Sequence, residues 1–254
     1  MFDYPLYQAM LDVFVRDTTF ARLARPELSE DEPRGVLNED SAYRNAYQLV
    51  TFIGNHDNPR LPTLIEEEAR SDEVDERTKL ALTFLFTTRG IPQLYYGDEL
   101  GLRGGADPDN RKDMPWALVD EESNISLEVV AARNRRQTVR DLIRIRRSSR
   151  ALCFGLLTTL YVTPSIYAYA RTFFDDIRLV VLNNSPTEVR VVIPLRSNDK
   201  LPLLAKQQLP DGLLLQDELC PEGVHQVSLE DGALKICLPG RTAAVYKPSI
   251  AAPA

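Results

Sequence analysis

The sequence predicts an α/β region followed by an all-β region, with the change near Leu152. Three observations carry this. Up to about Arg150, short apolar strands alternate with helix-period segments, which implies a parallel sheet. Beyond that point apolar and polar residues alternate with period two. Asp211-Gly212 and Asp231-Gly232 then read as two-residue hairpin turns. The expected domains are residues 1–150 and 151–254.

The elements follow in order. Phe2 to Leu6 reads as a strand end, with a helix over Tyr7 to Val15. Arg25 to Asp40 is polar and proline-punctuated, an excursion between elements. Thr51-Phe52-Ile53 is a short apolar strand that runs out into Asn55, His56 and Asp57, where Asn58 and Pro59 force a loop rather than a helix. A helix is expected from Glu73 to Arg89, because Leu80, Ala81, Phe84 and Leu85 recur at helical spacing. Gly90 suits its C-terminal cap and Pro92 lies just beyond. Ile91 to Tyr96 is a second apolar strand that breaks at Gly97-Asp98-Glu99. A glycine- and aspartate-rich loop runs from Gly101 to Trp116, and a last helix from Asn134 to Arg147 carries Val139, Leu142 and Ile143 on one face. In the β region Ile166, Ala168 and Ala170 face one way and Tyr167, Tyr169 and Arg171 the other. Leu179 to Leu182 and Val189 to Leu195 are further strands, and the turn density predicts a small antiparallel β-sandwich.

Composition narrows the function classes. A hydrophobic fraction of 44% and a charged fraction of 26% are ordinary for a globular protein. The net charge of −7 argues against nucleic-acid or anionic-membrane partners. The arginine-rich helix (Arg133, Arg135, Arg136, Arg140, Arg144, Arg146, Arg147) therefore reads as a solvated surface. No apolar run is long enough to span a bilayer, and Met1 to Met10 lacks the basic and apolar parts of a signal peptide. Cys153, Cys220 and Cys237 are odd in number and widely spaced, so buried free thiols are expected.

Three constellations carry chemistry. His56-Asp57 follows an apolar strand, the place where catalytic groups stand in parallel α/β barrels. Arg60 is near enough to pair with a carboxylate in that loop. Tyr95 and Tyr96 precede Asp98 and Glu99, and aromatic faces suit stacking on sugar rings; core tyrosines with a structural acidic pair are the plainer reading. Asp107, Asp109 and Arg111 are placed to bind hydroxyls. Calcium is a rival there, disfavoured by Arg111 and by the lack of EF-hand spacing.

The segments TFIGNHDNPR, GIPQLYYGDELGLRGG and DPDNRKDMPW, in this order and spacing, resemble the C-terminal part of the α-amylase family of glycoside hydrolases, above all its cyclomaltodextrinase, neopullulanase and maltogenic-amylase branch. The resemblance implies the C-terminal part of a (β/α)₈ barrel, about strands six to eight, followed by a β-sandwich. It implies retaining cleavage of α-1,4- or α-1,6-glucans or cyclodextrins, by two carboxylates about 5–5.5 Å apart. A third carboxylate, matched by Asp57, stabilises the transition state. His56 matches a histidine that binds hydroxyls of the same sugar, and Asp107 with Arg111 match a pair that holds the next sugar outward. Asn55, Arg60 and Tyr96 complete the substrate-binding candidates.

The family's Gly-x-Arg-x-Asp nucleophile pattern and the glutamate on the next strand are not found upstream of Asn55. The expected explanation is a piece of a longer enzyme, inactive alone. The alternatives are one half of a two-chain enzyme and a non-catalytic glucan-binding or interaction module. The expected partners are an α-glucan oligosaccharide and the other barrel half, with no nucleic acid and no membrane. No cofactor is expected in this chain, though calcium is open for a full-length enzyme. The cytoplasm is favoured as its location, with the true N-terminus expected upstream.

Overall fold

The computed structural model describes residues 1–25, 34–68, 71–119, 126–220 and 226–249. Part of the Arg25–Asp40 excursion, residues 26–33, therefore lies outside the described residues.

The first helix, α1 (Tyr4–Met10), starts earlier than its apolar spacing suggests, because Asp3 Oδ1 accepts from Leu6 N–H at 3.1 Å and Pro5 sits in the first turn. It runs on into a π-helical turn, Leu11–Val15. The expected strand end shrinks to a single parallel bridge between Phe2 and Val50. Strands β1 (Val50–Phe52) and β2 (Ile91–Gln93) pair in parallel, Val50 beside Ile91 and Phe52 beside Gln93.

Two helices connect them. The loop after Pro59 is short: α2 (Leu61–Glu68) follows at once, a helix that the sequence reading missed. Pro62 lies in its first turn, where a missing N–H is harmless, and Leu61 and Ile65 share its buried face. The next helix, α3 (Val74–Thr87), is buried on nearly every side. Gly90 follows at φ +95°, and a Cβ there would lie 2.7 Å from Thr51 Cγ2 and 2.8 Å from Leu49 O. Helix α4 (Leu127–Ser148) begins seven residues before the expected start, because Ser126 Oγ accepts from Val129 N–H and Val129 and Ala132 extend its buried face. A short helix, α5 (Arg150–Phe154), capped by Ser149, was not expected.

The β region contains β3 (Leu156–Val162), β4 (Ile166–Phe173), β5 (Asp176–Asn183), β6 (Val189–Pro194), β7 (Leu214–Asp217), β8 (Gln226–Glu230), β9 (Ala233–Leu238) and β10 (Thr242–Pro248). A short helix, α6 (Leu203–Gln207), intervenes. All pairings are antiparallel, in the single order β3-β4-β5-β10-β7-β8-β9-β6. The end strands β3 and β6 approach each other, so the sheet is nearly closed and its walls pack across one core. Asp231-Gly232 is the expected hairpin turn between β8 and β9, with φ of +53° and +73°. Asp211-Gly212 is not a hairpin. It turns the chain from α6 into β7, with Leu213 N–H donating to Pro210 O.

Strand β4 separates two cores. Ile166, Ala168 and Ala170 point into the sheet's own core, while Tyr167 and Tyr169 pack with Phe84 of α3 and Phe20. Both faces are buried, so its alternation marks two apolar environments instead of core and solvent.

Buried arginines tie these layers. Arg171 of β4 donates through Nη1 to Thr87 O (2.7 Å) and Thr88 O (2.5 Å) and through Nη2 to Gly155 O (3.0 Å). Arg146 of α4 donates to Phe86 O (2.7 Å) and Gly90 O (2.6 Å). Arg146 is thus buried, a correction to the solvated reading of its helix: its spacing places it on the same face as Val139 and Leu142. At the molecule's other side Arg241 chelates Asp17, both contacts at 2.8 Å, beside Arg77 and Glu73. The cysteines are free, yet Cys220 and Cys237 are exposed where burial was expected, Cys237 on an outward position of β9. No helix among the described residues is long and apolar enough to cross a membrane.

Candidate active site

The constellation grows from the carboxyl ends of β1 and β2. After Phe52 the chain passes buried Ile53 and Gly54 to Asn55, whose side chain points inward. Asn55 Oδ1 accepts from Asp57 N–H at 2.8 Å, an Asx turn that swings the next two side chains outward. His56 and Asp57 are 64% and 57% exposed, with His56 Nε2 3.2 Å from Asp57 Oδ1.

The loop after β2 turns at Gly97 (φ +85°) and buries Asp98 directly beneath. Burial pushes the Asp98 carboxyl up to about 7, against the opposing pull of Arg60 and of the Tyr95 N–H. The third loop folds over Gly104, where a Cβ would lie 2.5 Å from Asp109 O. Its turn is held by Gly105 N–H donating to Asp109 Oδ2 at 2.6 Å. Lys112 and that N–H hold the Asp109 carboxyl below the usual range.

This third loop meets the first. Arg111 Nε donates to His56 O at 2.9 Å and lies 3.1 Å from Asp107 Oδ1, while its Nη2 is 3.7 Å from Asp57 Oδ1. His56, Asp57, Asp107 and Arg111 thus form one exposed polar patch, although about fifty residues separate its halves. Tyr96 stands beside it, partly exposed, its hydroxyl donating to Lys112 O at 2.7 Å.

Two expected residues fall elsewhere. Arg60 is fully buried and does not face the patch. Its nearest acid is Asp98, 3.1 Å away, from the second loop and not its own. Its guanidinium lies 4.1 Å from the Tyr95 ring centre and 4.8 Å from that of Tyr96. Direct sugar contact by Arg60 is therefore corrected to an internal one. Asn55 is likewise a buried turn-former. Asn110 was missed: its Nδ2 donates to His56 O (2.8 Å) and Asn58 O (3.0 Å). The only signal was its place between Asp109 and Arg111. Among the described residues no cluster of three or more histidine, cysteine or acidic groups fits a metal.

The geometry can be set beside known proteins. The family described as alpha amylase, catalytic domain, matches residues 2–149. A cyclomaltodextrinase of Thermoanaerobacter pseudethanolicus is 35% identical over 183 residues, which cover 72% of this chain and 28% of that protein. A cyclomaltodextrin glucanotransferase of Bacillus sp. (strain 1-1) is 32% identical over 150 residues, covering 59% of this chain and 19% of the other. The crystal structure of an α-amylase from Geobacillus thermoleovorans, complexed with acarbose, superposes with a TM-score of 0.69 at 27% identity, over 96% of this chain and 47% of that one. The chain thus spans about half the length of that solved structure and less than a third of either curated relative.

Proposed function

Because this chain belongs to the α-amylase family, whose members are glycoside hydrolases of α-glucans, we propose that it carries the transition-state-stabilising part of a retaining α-glucan hydrolase site. On this reading residues 1–150 are the C-terminal part of the catalytic (β/α)₈ barrel and residues 151–254 the β domain that follows. The substrates are α-1,4- or α-1,6-linked glucans or cyclodextrins.

The supporting observation is the single exposed patch made by His56, Asp57, Asp107 and Arg111. Asp57, open to solvent, accepts hydrogen bonds from the hydroxyls of the sugar being cleaved. Those bonds strengthen as the ring flattens toward the oxocarbenium-like transition state. His56 shares that carboxylate and the same sugar. Asp107 and Arg111, 3.1 Å apart, present an acceptor and a planar donor fork to the next sugar outward. Tyr96 offers a ring for stacking. Cleavage also needs a nucleophile and a general acid about 5–5.5 Å apart. No Gly-x-Arg-x-Asp pattern precedes Asn55, so this reading assigns both to another stretch of polypeptide.

The chain alone is expected to bind maltotriose without hydrolysing it. Calorimetric titration and product analysis on one sample test both halves: turnover would refute the division of labour, and absence of binding would refute the sugar site. Joined to a polypeptide that supplies the two missing carboxylates, Asp57→Asn should lower kcat by roughly 10²–10³, and an unchanged kcat would sink its assigned role.

A further inference from the structure

Arg60 stands where three chain segments meet. Its backbone N–H donates to Gly104 O at 2.9 Å. Its Nε donates to Asn110 O at 2.9 Å, and its Nη1 to Tyr96 O at 2.6 Å and to Asp98 Oδ1 at 3.1 Å. The guanidinium lies 4.1 Å from the Tyr95 ring centre and 4.8 Å from that of Tyr96, on neighbouring sides of it, and no part of the side chain reaches solvent. Asn110, gripped by its backbone carbonyl, passes its own amide hydrogens to His56 O and Asn58 O. Every loop that supplies a group to the exposed patch is thus tied to this one cation.

We propose that Arg60 is the positioning residue of the site, fixing His56 and Asp57 against Asp107 and Arg111 through Asn110 and Tyr96 without itself touching sugar. The proposal rests on the reading of that patch as a sugar site. Its physical basis is the planar guanidinium fork, which aims several donors in fixed directions at once, as a lysine ammonium cannot. Precision of this kind matters because a misplacement of about 1 Å can cost about 10²-fold in rate. Asp98, 3.1 Å from Nη1, offsets the buried cation when it is ionised.

The test uses the 254-residue chain. Arg60→Lys keeps the charge and loses the fork. His56 and His225 are its two histidines, so a His225→Gln background leaves one imidazole signal to follow by NMR. We expect Arg60→Lys to shift the His56 ring signal while circular dichroism and cooperative unfolding persist, and to weaken maltotriose binding about tenfold. Asn110→Ala, which cuts the link one step further on, should move the same signal the same way. A His56 signal that stays in place in a folded Arg60→Lys variant overturns the proposal; should that variant not fold, an unmoved signal in Asn110→Ala does so. If the unaltered chain binds no maltotriose, the sugar-site reading fails while the imidazole signal still decides the positioning role.

Discussion

Strand β2 has buried arginine at each end, Arg60 at one and the Arg146–Arg171 pair at the other, and the two settings are built on different principles. At its carboxyl end Arg60 meets an acid, Asp98, and two aromatic rings. At its amino end Arg146 and Arg171 meet carbonyls: Phe86, Thr87, Thr88, Gly90 and Gly155. Those carbonyls include the last ones of α3, the negative end of a helix, so oriented peptide dipoles do there what a carboxylate does for Arg60. A carbonyl cradle has no proton to gain, whereas an acid-balanced cation sits beside a group that titrates. The Arg146–Arg171 cradle is therefore fixed at any ordinary pH, whereas the functional end, like Arg89 beside the cradle with its partners Asp3 and Asp40, is adjustable. Burial lowers the charge preference of Arg171, pulling its value down to about 10, still far above neutrality.

The comparison breaks first at the base. Arg171→Met strands the Thr87 and Gly155 carbonyls inside the junction of α3, β4 and α5 and leaves Thr88 O to Arg146 alone, and should cost roughly 3–5 kcal/mol in urea unfolding, equally at pH 5 and pH 9. A loss below about 1 kcal/mol would show that the cradle is not structural.

At the other end the effect is smaller and depends on pH. Arg60→Met leaves Asp98 able to take a proton, so the loss should be mild at pH 5 and larger at pH 9. The same denaturation series measures it, and a loss independent of pH would erase the contrast between the two ends. In the unaltered chain Asp98 has a folded value of about 7 against 3.8 when free. Folding favours its protonated form. Its contribution is complete below 3.8 and is lost as pH rises through about 7. Tm should thus fall between those limits, and Asp98→Asn should flatten that part of the profile. The least effect on stability belongs to the exposed patch: Asp57→Asn should leave unfolding within about 0.5 kcal/mol of the unaltered chain.

What the sequence disclosed was local. His56-Asp57 after an apolar strand and Asp231-Gly232 between two strands are each determined by neighbours a few residues away, and both stand where expected. Helix α3 instead stops at Thr87 with Thr88 as its cap, short of the end that Gly90 was expected to close. Burial of long cations was not legible. Arg60 looks in sequence like Arg140 or Arg144, because an arginine takes solvent or carbonyls with the same side chain, and distant segments decide which. Arg146 carried a signal only in its helical spacing from Val139 and Leu142. Helix α2 was hidden by Pro59, whose restriction acts on the residue before it and leaves Leu61 onward free. The placing of β10 between β5 and β7 depends on pairing far along the chain, which no local period records.

The chelate between Asp17 and Arg241 joins positions 224 residues apart. During synthesis Arg241 is made long after Asp17, so this clasp cannot close until the turn leading into β10 has emerged. Before that, Asp17 has Arg77 and, once β5 is made, the Asn184 amide to hold. The helical region thus carries a chemical record of whether its β region has been completed.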